Sequence, residues 1–198
     1  MTESAHTAVE RLPPLSEDEY TDAQRAVADT IAGGPRGALR GPFAAMLRSP
    51  DFMDRAQHLG EFLRFSSCIP RALREFAILI CARKWQQTYE WTVHAPLAES
   101  AGVAPQVIDD LAHQRPLRDL ESAEDTIHRF CIELLDQHAV SDSTYRDAID
   151  LLGEAGVLEL CGICGYYTML AMVLNVARTP PPTDSRLPFS LPDAPESG

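Results

Sequence analysis

The chain has 198 residues, 45% hydrophobic and 23% charged, with 29 acidic against 17 basic side chains and a formal net charge of −12. That length fits one domain with a sizeable core. The acidity argues against nucleic acid and against an anionic membrane surface, since both need a basic face.

Residues 1–15 are polar, include Pro13 and Pro14, and read as an N-terminal arm. They show no basic stretch followed by an apolar run, so no signal peptide is read and a cytoplasmic location is expected. Ser16-Glu-Asp-Glu19 matches a capping box, and Ala23, Ala26, Val27 and Ile31 follow at helical spacing up to Gly33-Gly34. "GPFAAMLRSP" (41–50) reads as a loop with a short helical turn, and "DFMDRAQHLGEFLRF" (51–65) as a helix. "PRALREFAILICARKW" (70–85) is a mostly apolar helix, and "QTYEWTVHAPLAESAG" (87–102) a helix ending before Gly102. Further helices are predicted at about 105–113, 122–138, 143–155 and 157–177. The stretch Leu160–Ala177 carries no charge over 18 residues, near the lower length for a membrane span. Gly162, Gly165, Tyr166, Tyr167 and Asn175 interrupt it, and a buried core helix is the better reading. Residues 179–198 are Pro-rich and form a C-terminal arm, either packed in extended form on a neighbour or disordered. With no alternating pattern, the fold class is all-α: one helical domain over 16–178, a bundle of seven or eight helices built around 71–84 and 157–177.

The densest chemical signal lies in 74–102. Glu90 and His94, four apart, share one helix face, where a carboxylate can orient an imidazole and raise its basicity. Pro96, if inside the helix, takes away the N–H that the Thr92 carbonyl would use. Glu75 sits among Leu73, Phe76, Ile78 and Leu79, so its carboxylate needs a partner or a raised pKa; Arg71 and Arg74 are close in sequence. Each of these is equally readable as a surface ion pair. No His, Cys, Asp or Glu spacing suits zinc or iron.

The blocks "GPFAAMLRSP" (41–50), "LGEFLRF" (59–65), "RALREFAIL" (71–79), "ARKW" (82–85), "YEWTVH" (89–94), "AESAGV" (98–103) and "LEL" with "GYYTML" (158–160, 165–170) resemble the carboxymuconolactone decarboxylase family, which shares its fold with alkylhydroperoxidase-like proteins. The resemblance covers about residues 41–177. It implies an all-helical protomer in a homo-oligomer, a trimer or hexamer with a dimer as the alternative, and a site between helices near the subunit interface. In the peroxidase branch a Cys-x-x-Cys-x-x-x-His motif acts with an upstream Glu. His94 matches that His and Glu75 that Glu, whereas the cysteine positions fall on Gln87 and Glu90, so thiol chemistry is absent from the matching site. The decarboxylase branch is implied instead: a cofactor-free and metal-free enzyme for a small carboxylated lactone or related enolisable acid. His94 would be the general acid/base, Glu90 its orienting partner and Glu75 a second relay or a structural carboxylate. Arg48, Arg74, Trp85, Tyr89 and Trp91 would contact the substrate, with Arg64 a further carboxylate ligand.

The five cysteines are an odd count that does not suit a disulfide framework. Cys161 and Cys164 make a Cys-x-x-Cys, but inside an apolar helix, where desolvation raises thiol pKa. They read as core packing. Two alternatives stay open: a thiol peroxidase or disulfide reductase using that pair, or a non-catalytic binding member of the fold.

Overall fold

The computed structural model describes residues 9–182 and 188–189. Among the described residues there are eight α-helices and no strand: α1 (Asp22–Gly33), α2 (Pro42–Met46), α3 (Pro50–Glu61), α4 (Arg71–Lys84), α5 (Thr88–Ala101), α6 (Pro105–Ala112), α7 (Ser122–Ile132) and α8 (Asp142–Ala177). The all-α class expected from the sequence is therefore found. α3 and α7 each run into a π-helical turn, Phe62–Ser66 and Glu133–Gln137. Such turns often occur where a helix serves a site.

α4 is the centre of the bundle. Every residue from Leu73 to Ala82 is buried, and α5, α6, α7 and α8 all pack on it. A helix covered on all sides has no polar face to keep, which explains its nearly unbroken apolar sequence. The two charges inside this stretch, Arg74 and Glu75, therefore stand out.

The first helix departs from the sequence reading. Ser16 makes no cap; its hydroxyl bonds the Asp18 carboxylate, and only a short 3₁₀ turn, Glu17–Glu19, follows. The capping box belongs to Thr21 and Gln24, which each bond the other's backbone, so the helix starts at Asp22. The two helices predicted over 143–155 and 157–177 are one run, Asp142–Ala177, broken at Gly153. Gly153 has φ +70° and ψ 175°, a conformation that glycine adopts at least cost.

α8 is the one helix among the described residues long and apolar enough to cross a membrane, with a mean hydropathy of 1.7 over its best window. Half of that window is buried in the bundle: Leu160, Ile163, Cys164, Tyr166, Tyr167, Leu170, Ala171 and Leu174 face the core. On the other side Leu158, Met172 and Val176 are exposed.

Two tethers fix α5 and the segment before α4 against α8. At the α4–α5 corner Gln87 is fully buried; its side-chain oxygen caps α5 by accepting from the Tyr89 N–H at 2.6 Å. Its amide donates to the Asn175 side chain at 2.7 Å, and Asn175 donates to the Trp85 carbonyl at 3.1 Å. Near the π turn, the Glu159 carboxylate accepts from Ser67 Oγ at 2.6 Å and from the Cys68 N–H at 2.8 Å.

Candidate active site

Glu75 comes from the second turn of α4, and Glu90 and His94 from the first two turns of α5. All three are buried, at 3%, 4% and 2% exposure. Glu75 Oε2 lies 2.7 Å from His94 Nδ1, and Glu90 Oε2 lies 3.5 Å from His94 Nε2. One imidazole thus stands between two carboxyls, each facing a different ring nitrogen.

The two carboxyls are electrostatically unlike. Burial pushes Glu75 up, but the His94 hydrogen bond, the charge on His94 and the nearby Arg64 and Arg74 outweigh it and hold Glu75 below the usual range. Burial pushes Glu90 up as well, and there His94, Arg64 and Arg36 offset it only in part, so Glu90 stays raised. A carboxylate only accepts, so ionised Glu75 assigns the ring hydrogen to Nδ1 and leaves Nε2 as the reactive nitrogen. The orienting partner of His94 is therefore Glu75 rather than Glu90. Sequence spacing favoured Glu90 because four residues on one helix suggest contact; the shorter bond crosses between α4 and α5, nineteen residues apart.

A cavity of about 300 Å³ opens beside this group, the size for a small ligand. His94, Glu90, Tyr89 and Tyr167 line one part, and Arg36, Arg40 and Arg64 another. Phe43, Val93 and Leu170 supply apolar wall. The Tyr167 ring meets the imidazole edge-on, with centroids 5.2 Å apart at 88°. Burial raises the Tyr167 phenol well above its ordinary value, so its hydroxyl keeps its proton. The Gly41 backbone, at φ +57°, lets the loop pass Tyr89 closely: a Cβ there would lie 2.5 Å from a Tyr89 ring carbon.

In a chain of net charge −12, none of the three cavity arginines has an ion-pair partner among the described residues; the Lys and Arg ion pairs present use Lys84, Arg55, Arg115 and Arg129. Arg36 is held over the Phe43 ring, 4.7 Å from its centroid, and Arg64 over Phe65 at 5.2 Å. Arg36 Nε and Nη2 and the Tyr166 hydroxyl are buried together without a well-formed hydrogen bond. Burial takes the Tyr166 phenol up to about 12, against the pull of Arg36.

Of the substrate contacts expected from the sequence, Tyr89 and Arg64 line the cavity; the other four do not. Arg48 donates to the Pro13 carbonyl at 2.8 Å and so fastens the N-terminal segment. Arg74 is buried in α4, donates to the Ile69 carbonyl at 3.3 Å and acts on Glu75 through its charge. The Trp85 indole donates to Thr168 Oγ1 at 3.1 Å. Trp91 is a core residue, edge-on to Phe189 at 5.3 Å. Arg36 and Arg40 went unrecognised in "GGPRGALRGPF", where two arginines four apart in a Gly/Pro loop are the available signal, since loops carry binding groups on a rigid scaffold.

Cys161 and Cys164 face different ways: Cys161 is exposed, and Cys164 is buried with its Sγ 3.6 Å from Cys131 Sγ. The Cys164 thiol beside them, and burial, push the Cys81 and Cys131 thiols well up, and burial raises Cys161. Hydrogen bonds with Cys131 and Cys81 take Cys164 well below its ordinary value against burial, but Cys164 is buried, and the raised thiols around it are poor nucleophiles. Among the described residues no group of three or more His, Cys, Asp or Glu is placed to hold a metal ion. No family model matches the chain, and no curated protein matches it.

Proposed function

We propose that the chain is a cofactor-free enzyme of the carboxymuconolactone decarboxylase type, acting on a small carboxylated lactone or related enolisable acid. The observation that carries this reading is one cavity presenting three arginines without an ion pair among the described residues and a buried His94 held by Glu75. The arginines would bind the substrate's carboxylate or the developing oxyanion; a guanidinium not already committed to a carboxylate can make that charge-assisted bond. On loss of carbon dioxide, the electron pair of the broken C–C bond stays on the ring carbon and spreads to the lactone carbonyl oxygen. Arginine and the Tyr167 O–H would stabilise that dienolate, in a site whose dipoles are already placed. His94, oriented through Nδ1, serves proton transfer at Nε2.

The test is release of carbon dioxide from a carboxylated butenolide by the purified chain. The reading expects turnover in the wild type and, in Arg64→Met, a KM raised by about tenfold or more, the equivalent of about 1.4 kcal/mol of lost binding. A folded wild type that releases no carbon dioxide from such lactones contradicts it.

The protein is also proposed to act as a homo-oligomer in the cytoplasm. Leu158, Met172 and Val176 leave one side of α8 apolar and uncovered, and Phe62 and Phe65 on the π turn are exposed as well. A second copy of the chain would bury these side chains at about 25 cal/mol per Å². Light scattering should give a multiple of 21.8 kDa; the mass of a single chain at micromolar concentration would contradict the assembly.

A further inference from the structure

We propose that Glu90 is the catalytic acid of this site: it carries the proton that is delivered to substrate carbon, and His94 reloads it. This rests on the decarboxylase-type reading above.

The geometry separates the two glutamates. Glu75 has a strong donor at 2.7 Å and no place in the cavity wall; Glu90 lines the cavity. Among the described residues no backbone or side-chain group gives Glu90 a well-formed hydrogen bond. His94 Nε2 lies 3.5 Å away and, in the neutral ring whose Nδ1 hydrogen serves Glu75, has no hydrogen to give. A buried carboxylate without donors is costlier than a carboxylic acid in the same place. Glu90 sits in the first turn of α5, where the helix favours a carboxylate only slightly. Burial therefore favours the protonated form of Glu90.

Charged and titratable groups reach Glu90 from every side. Glu75 and Cys81 lie on α4, Tyr89 and His94 on α5, and Tyr166 and Tyr167 on α8, while Arg36 and Arg64 project from the loop before α2 and from the π turn. The two arginines and His94 draw Glu90 down and Glu75 pushes it up, so the balance is set by burial.

In the step, the Glu90 O–H bond breaks and its electron pair stays on the carboxylate. The C–H bond forms at the dienolate carbon left by carbon dioxide. A proton from water then passes through His94 Nε2 back to Glu90 while Glu75 holds Nδ1. The sum is one proton consumed and one carbon dioxide released.

The test uses the full chain with glutamate labelled by ¹³C at the side-chain carboxyl. At neutral pH, NMR should show one glutamate still protonated, absent in Glu90→Gln and present in wild type. Because Gln copies the shape of the protonated acid, Glu90→Gln should keep or raise the thermal midpoint. With a carboxylated butenolide its kcat should fall by about 100-fold or more while KM moves little, and Glu90→Asp should recover part of the loss. A Glu90 ionised at neutral pH, or a Glu90→Gln enzyme with wild-type kcat, overturns the assignment. A wild type without turnover removes the decarboxylase reading, and the NMR result still decides where the proton sits.

Discussion

Replacing His94 by alanine is expected to lower turnover by about 10²–10⁴-fold and to destabilise the fold by about 3–5 kcal/mol at neutral pH, the cost of leaving a buried carboxylate without its partner. The partner is Glu75, which is 3% exposed and bonded to Nδ1 at 2.7 Å. The pH dependence identifies the cause. In the wild type the folded Glu75 carboxyl titrates below its ordinary 4.5, so its contribution is present above that value and is lost as pH falls through the folded pKa. In His94→Ala the hydrogen bond and charge of His94 are gone and only Arg64 and Arg74 oppose burial, so Glu75 should titrate higher than in wild type. The variant then gains stability, relative to wild type, as pH falls toward that range. Urea midpoints at neutral and mildly acid pH measure this: the gap between the two proteins should narrow on acidification. A constant gap would mean that His94 supports the fold by packing alone.

Gly60→Ala is expected to damage binding rather than chemistry. A Cβ at Gly60 would overlap the Tyr166 hydroxyl and stand 2.7 Å from Arg36 Nη2. Neither neighbour can retreat easily, since Tyr166 is buried beside Tyr167 and Arg36 rests on Phe43. Overpacking of this kind costs about 1–3 kcal/mol. Displacing Arg36 from the cavity wall should raise KM for an anionic substrate several-fold more than it lowers kcat. Adding Tyr166→Phe removes the overlapping oxygen and should recover part of both losses. If the double variant is no better than Gly60→Ala, Gly60 serves something other than the placement of Arg36.

Much of the helical frame is legible in the sequence because its signals are local. The proline at 105, the glycine at 102 and the apolar run of α4 mark their elements without reference to the rest of the chain. Ser16 misleads for the same reason: two capping signals, Ser16–Glu19 and Thr21–Gln24, lie five residues apart, and only the second forms. Glu75, Glu90 and His94 are each identifiable as candidates, two from spacing on one helix and the third from a charge in an apolar run. Which carboxyl holds the imidazole is not, because that depends on how α4 and α5 cross. The arginines divide similarly. Arg64 lies in a helical block and is recognisable, whereas Arg36 and Arg40 sit on a loop whose path over the cavity no periodicity encodes. Arg48 and Arg74 have the same chemistry and occur in equally suggestive blocks, but the fold turns one to the N-terminal segment and buries the other. Cys161 and Cys164 show how a motif read without its helix face misleads: the fold points one thiol outward and the other into the core.

This cavity is proposed to perform proton chemistry at carbon on a carboxylated lactone. The most direct measurement is turnover of a carboxylated butenolide in D₂O, with carbon dioxide and the deuterium content of the product lactone both recorded. Wild type should place one deuterium on carbon for each carbon dioxide released, and His94→Ala should lower both by about 10²–10⁴-fold. Deuterium-labelled product forming at the wild-type rate in His94→Ala would contradict it, as would a folded wild type that releases no carbon dioxide.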